Sequence, residues 1–212
     1  DEFTTSKDKK DIYLNYLDKV LKGQTGTVKT EQLVDNIYKP RKLYASSIAY
    51  GVVTFNTSTK RVMYATKENT KPDKLKDYIV ASAACFPVFP VKKIDNESFI
   101  DGGYYDNLPI NLAIDLGATE IIAVDLGAMG LKHRIKSKDV KVTYIEPVQK
   151  LESFLMFEKD AANRMIALGY NDTMKVFHKL EGHFYTFKKG SLSNIYERYY
   201  DQFQEVLKDY EK

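Results

Sequence analysis

Apolar and polar positions alternate along this chain with two different periods, and the periods mark out its elements. Between residues 8 and 22, Ile12, Tyr16 and Val20, with Leu17 and Leu21 beside them, recur at helical spacing, and Gly23 supplies a stop. Residues 30–38 read as a second short helix, ended by Pro40. Residues 43–55 are rich in β-branched and aromatic side chains and predict a strand. The turn Asn56-Thr57-Ser58-Thr59 folds it back onto a second strand over 61–65. Pro72 and Asp73 open a helix predicted to run through Ala84. Residues 91–94 and 98–100 form a small hairpin across Asp95-Asn96-Glu97.

Further on, residues 109–116 predict a helix that stops at Gly117. Residues 120–126 are a nearly continuous apolar run, the pattern of a parallel strand buried on both faces. Residues 140–145 predict another strand, closed by Glu146-Pro147, and helices follow over 151–168, 172–180 and 194–211. This alternation of strands and helices argues for an α/β fold, with a parallel or mixed sheet flanked by helices on both faces. No internal repeat, low-complexity segment or domain linker interrupts it. The stretch 127–137 is basic and contains glycine. It reads as a surface loop rather than a phosphate cradle, because no helix-start signal follows it.

Composition changes this picture little. A chain of 212 residues with 43% hydrophobic and 29% charged residues is ordinary for a soluble globular protein, forming one domain or a large part of one. The net charge of +3 is small and its lysines are dispersed, which points to a solvated surface and away from nucleic acid. A weak attraction to anionic lipid, as peripheral membrane-surface contact, stays open. Cys85 is the only cysteine, so no intrachain disulfide forms; its apolar surroundings predict a buried structural thiol. No apolar stretch reaches the roughly 18 residues a membrane span needs, and no signal peptide is visible. A cytoplasmic protein is the expectation.

The candidate chemistry centres on Phe99-Ile100-Asp101-Gly102-Gly103-Tyr104-Tyr105-Asp106-Asn107-Leu108-Pro109. A carboxylate stands at the end of an apolar strand, two glycines let the chain turn and another group approach, and a proline follows. By itself Asp-Gly-Gly reads as a strand-to-helix turn in which Asp101 caps backbone N–H groups. Asp106 reads as a turn residue, Asp125 as a strand-end cap, and Asn107 as bonding the turn backbone to hold Asp101 in place. His133, His178 and His183 lack the context of a Ser-His-Asp triad, and their spacing fits no metal motif, so no metal is expected.

The flanking sequence turns Asp101 into more than a cap. The run Ala81-Ser82-Ala83-Ala84-Cys85-Phe86-Pro87-Val88-Phe89-Pro90 precedes Asp101-Gly102-Gly103, Asn107, Pro109 and Ala113. Leu116-Gly117-Ala118 and Ile121-Ile122-Ala123-Val124-Asp125 follow. Together these closely resemble the second half of patatin-like lipid acyl hydrolases, over residues 26–185 and most densely over 81–126. One local departure is a proline shifted from the place of Phe86 to Pro87. The resemblance implies a Ser–Asp dyad in which Asp101 is the aspartate and Gly102, Gly103 and Asn107 support its loop. It implies an acyl-ester or lipid substrate and no cofactor.

The family's G-x-S-x-G is absent from the sequence, as is the glycine-rich oxyanion loop. Gly23-Gln24-Thr25-Gly26 lacks a serine, and Ser46-Ser47 lacks flanking glycines. The expectation is therefore the carboxyl-terminal part of such a domain over residues 1–212, incomplete at the amino-terminal side, with 150–212 as a helical extension. The nucleophile would lie upstream, leaving this chain inactive and prone to self-association or to pairing with the missing segment. The alternative is a non-catalytic lipid-binding or protein-interaction module. Leu151, Phe154 and Leu155 share one predicted helix face and, with Met156 and Phe157, serve either core packing or an acyl-chain pocket.

Overall fold

The structure, a computed structural model, describes residues 28–152, 159–193, 195 and 199–200. The predicted helix over 8–22 and most of that over 194–211 lie outside the described residues. The fold is mixed α/β, with sheets flanked by helices. It divides into two compact units after Thr119, with Met129–Val140 returning to the first and the chain from Lys141 belonging to the second.

The first unit opens with α1 (Val28–Ile37) and α2 (Pro40–Ala45). Strands β1 (Gly51–Asn56) and β2 (Arg61–Thr66) form the predicted hairpin. Its turn is local chemistry: Ser58 N and Thr59 N both donate to Asn56 Oδ1 at 3.0 Å. Helix α3 (Pro72–Ala81) begins at a proline and carries Asp73 in its first turn. Strands β3 (Lys92–Ile94) and β4 (Glu97–Asp101) pair across Asp95-Asn96, both with positive φ, as a two-residue hairpin turn prefers. The sheet order is β2-β1-β4-β3, antiparallel throughout. The short helices α4 (Gly103–Asp106) and α5 (Ile110–Asp115) follow.

The register sorts side chains onto two faces. Thr54 pairs with both Met63 and Asp101, and Asn56 with Phe99. These residues share the face covered by α3, where Ala81, Ile94 and Phe99 form a buried cluster against Met63 and Tyr78. Val53, Phe55 and Tyr64 take the opposite face, toward α4.

Two expectations for this unit are corrected. The strand predicted over 43–55 begins only at Gly51, because Pro40 does not merely end α1 but starts α2. Helix α3 ends at Ala81, and residues 82–90 continue as an irregular segment.

The second unit holds β5 (Glu120–Val124) and β6 (Lys141–Ile145), a parallel pair in register from Glu120 with Lys141 to Val124 with Ile145. Helix α6 (Lys159–Val176) packs on β6 and buries Ala161 and Asp172. Asp172 accepts from Val148 N at 3.2 Å and pairs with Lys175 at 2.8 Å, so its carboxylate is satisfied although buried. The helices predicted over 151–168 and 172–180 are a single helix in the described residues, running through Gly169. After it, β7 (Leu180–Glu181) and β8 (Phe187–Lys188) form a small hairpin that periodicity did not predict. The run over 120–126 is not buried on both faces: Ala123 is, but Ile122, Val124 and Leu126 are exposed. Asp125 caps its own turn as expected, accepting from Gly127 N at 2.9 Å.

Among the described residues no helix is long and apolar enough to cross a membrane.

Candidate active site

Asp101 is the last residue of β4, half-buried, with its backbone fixed on both sides. Its N–H donates to Ala84 O at 3.0 Å, which ties the strand tip to the segment after α3. Its Oδ1 accepts from Gly103 N at 2.8 Å. Burial pushes the carboxyl above its usual range, and the Gly103 N–H pulls in the opposite direction with less force. A carboxylate held rigid at a strand tip and more basic than a free aspartate is suited to accepting a proton.

The two glycines have distinct reasons. A Cβ on Gly102 would stand 2.3 Å from Val53 O, so this position lets the chain pass directly over β1. Its φ of −69° is open to any residue, so close approach and not conformational freedom requires the glycine. A Cβ on Gly103 would meet Asn107 Oδ1 at 2.9 Å and Asp101 Oδ1 at 3.3 Å. The predicted set Asp101, Gly102, Gly103 and Asn107 is thus brought together in one turn.

Other groups join them that were not expected beside Asp101. Tyr104, on α4, donates its hydroxyl to Phe86 O and lies 3.9 Å from Cys85 Sγ. Burial, then the Cys85 contact, pushes the Tyr104 hydroxyl up to about 12. Cys85 is half-buried beside this tyrosine, not the buried thiol expected from its apolar surroundings. Asp106, read as a turn residue, closes helix α4 and is buried; its Oδ2 accepts from Tyr64 OH at 3.0 Å. Tyr64 in turn is pushed up to about 12, by burial first and by Asp106 second.

The basic loop also closes on this turn. Asn107 N donates to Leu131 O at 2.7 Å, and a Cβ on Gly130 would strike Gly103 O at 2.3 Å. His133 Nε2 donates to Tyr105 O at 2.8 Å, while the Tyr105 ring stacks on Phe55 with centroids 6.3 Å apart. His178 and His183 lie in the second unit. Phe154, Leu155, Met156 and Phe157 fall outside the described residues. Among the described residues no three His, Cys, Asp or Glu side chains converge as a metal site.

The antiparallel sheet thus delivers an anchored carboxylate through Asp-Gly-Gly into a short helix. A family model for patatin-like phospholipase matches residues 3–114, and the chain belongs to that family. No curated protein matches it.

Proposed function

We propose that this chain carries the aspartate half of a Ser–Asp dyad in a lipid acyl hydrolase. The observation that carries the reading is Asp101 itself: half-buried at the β4 tip, made more basic by burial, with only one carboxylate oxygen occupied by the turn. A serine outside this sequence attacks the acyl carbonyl and Asp101 takes its proton. The substrate is an acyl ester of lipid type, met at a lipid surface. Backbone N–H groups of a glycine-rich loop, also outside this sequence, stabilise the oxyanion.

The test is Asp101→Asn in the full-length protein, read by p-nitrophenyl ester hydrolysis. The amide keeps the bond to Gly103 N but accepts no proton. Turnover is expected to fall by at least about a thousandfold with circular dichroism unchanged. Near-wild-type turnover would remove the dyad reading. The 212-residue chain alone is expected to show no hydrolysis above background, and turnover abolished by a serine-directed phosphonate would contradict this.

A further inference from the structure

Thr54 presents a hydroxyl that the fold leaves unexplained. It stands in the middle of β1, fully buried, and its Oγ1 has no hydrogen-bond partner among the described residues. Buried hydroxyls find partners in nearly all folded proteins, so one without a partner calls for a reason. The register supplies it. Thr54 lies directly across the ladder from Asp101, and directly opposed residues share a sheet face with Cβ atoms about 5 Å apart. Asp101 Oδ1 is taken by Gly103 N, while no protein donor reaches Oδ2 among the described residues.

We propose that Thr54 is a positioning residue for Asp101, its hydroxyl donating to the second carboxylate oxygen. A threonine in a strand exchanges hydroxyl and methyl by one χ1 rotation with almost no change in volume, so the bond requires no change in the packing of β1. The carboxylate is then held at both oxygens: by Gly103 N–H from the turn and by Thr54 O–H from the neighbouring strand. Its plane is fixed, and its ionised form is favoured, since both donors bond the charged state. The other titratable groups beside it are Tyr104 from α4 and Cys85 from the segment after α3. Tyr104 donates to Phe86 O and lies 3.9 Å from Cys85 Sγ. Burial raises Asp101's proton affinity and the Gly103 bond opposes it, and Tyr104 feels the Asp101 charge, so the Tyr104→Phe background serves as the control for the Thr54 variants.

This inference rests on the reading of Asp101 as the base, but its test does not. The Asp101 carboxyl carbon is titrated by NMR in the full-length protein, with the resonance assigned by its loss in Asp101→Asn. Thr54→Val keeps the shape and removes the donor, and is expected to shift the Asp101 midpoint upward by about one pH unit. Thr54→Ser keeps the donor and is expected to restore the wild-type midpoint. The acid limb of the pH–rate profile moves in parallel. An unchanged Asp101 titration in Thr54→Val, or in Thr54→Ala should the valine variant fail to fold, overturns the assignment. If the titration moves while Asp101→Asn retains hydrolysis, Thr54 still positions the carboxylate and it is the dyad reading that falls.

Discussion

Asp101 reduces the stability of the fold at neutral pH, and the sign follows from its surroundings. Burial raises its proton affinity in the native state above that of the unfolded chain, against a weaker opposing bond from Gly103. The native state therefore binds the proton more tightly, and stability falls as pH rises through the ordinary carboxylate range to the raised value. Below that range both states are protonated and the penalty vanishes. Asp101→Asn is expected to melt at a higher temperature than wild type at pH 7, and the difference should disappear near about pH 3. Calorimetry at the two pH values decides it; a lower melting temperature at pH 7 would mean that the carboxylate is held by donors stronger than burial. Gly102 is the second residue whose identity is dictated locally. An alanine there drives its methyl into Val53 O, a backbone atom that cannot swing aside. Gly102→Ala is expected to cost about 1–3 kcal/mol in urea unfolding. An unshifted midpoint would show that β4 relaxes away from β1 at no cost.

Helix α4 has only four residues and cannot hold itself together, so its place on the sheet depends on a side-chain pin. Asp106, at its end, accepts from Tyr64 on β2, and both groups are withdrawn from water. Asp106 Oδ1 already lacks a partner, so Tyr64→Phe would leave a buried carboxylate bare on both oxygens. The expected cost is about 1–3 kcal/mol in chemical denaturation, with α4 and the Asp101 turn loosened first in hydrogen exchange. A neutral substitution would mean that Asp106 is solvated in the native state. This pin also shows what was legible in the sequence. The hairpins β1–β2 and β3–β4 were readable because their turns are made by neighbours: Asn56 capping its own loop, and Asp95-Asn96. Asp101 was readable because a strand end and two glycines are local signals. Helix α2 was missed because Pro40 both closes one helix and opens the next. Thr54, Tyr64 and Leu131 were unreadable as neighbours of the turn, because each meets it across a long stretch of chain. A lone threonine among the valines and phenylalanine of β1 was the only hint, and β-propensity explains it equally well.

On the scale of the whole molecule, the most conspicuous surface is in the second unit. Ile122 and Val124 lie on one side of β5, Leu126 follows just past its end, and all three are more than half exposed. Parallel strands are normally covered on both faces, and contiguous apolar surface is rare on stable monomers. Helix α6 packs against β6, and no described residue of the second unit buries this row. The net charge of +3 is too small to keep copies apart at moderate ionic strength. The 212-residue chain is therefore expected to self-associate through this row at micromolar concentration. Sedimentation velocity should show dimers or larger species. Ile122→Lys combined with Val124→Lys should return the chain to a monomer, because two charges set into the contact must be desolvated without partners. The double variant should still unfold cooperatively, since both positions are exposed. A compact, monodisperse wild-type monomer would show that the row is satisfied within the chain. Association that persists in the lysine variant would place the contact on another surface.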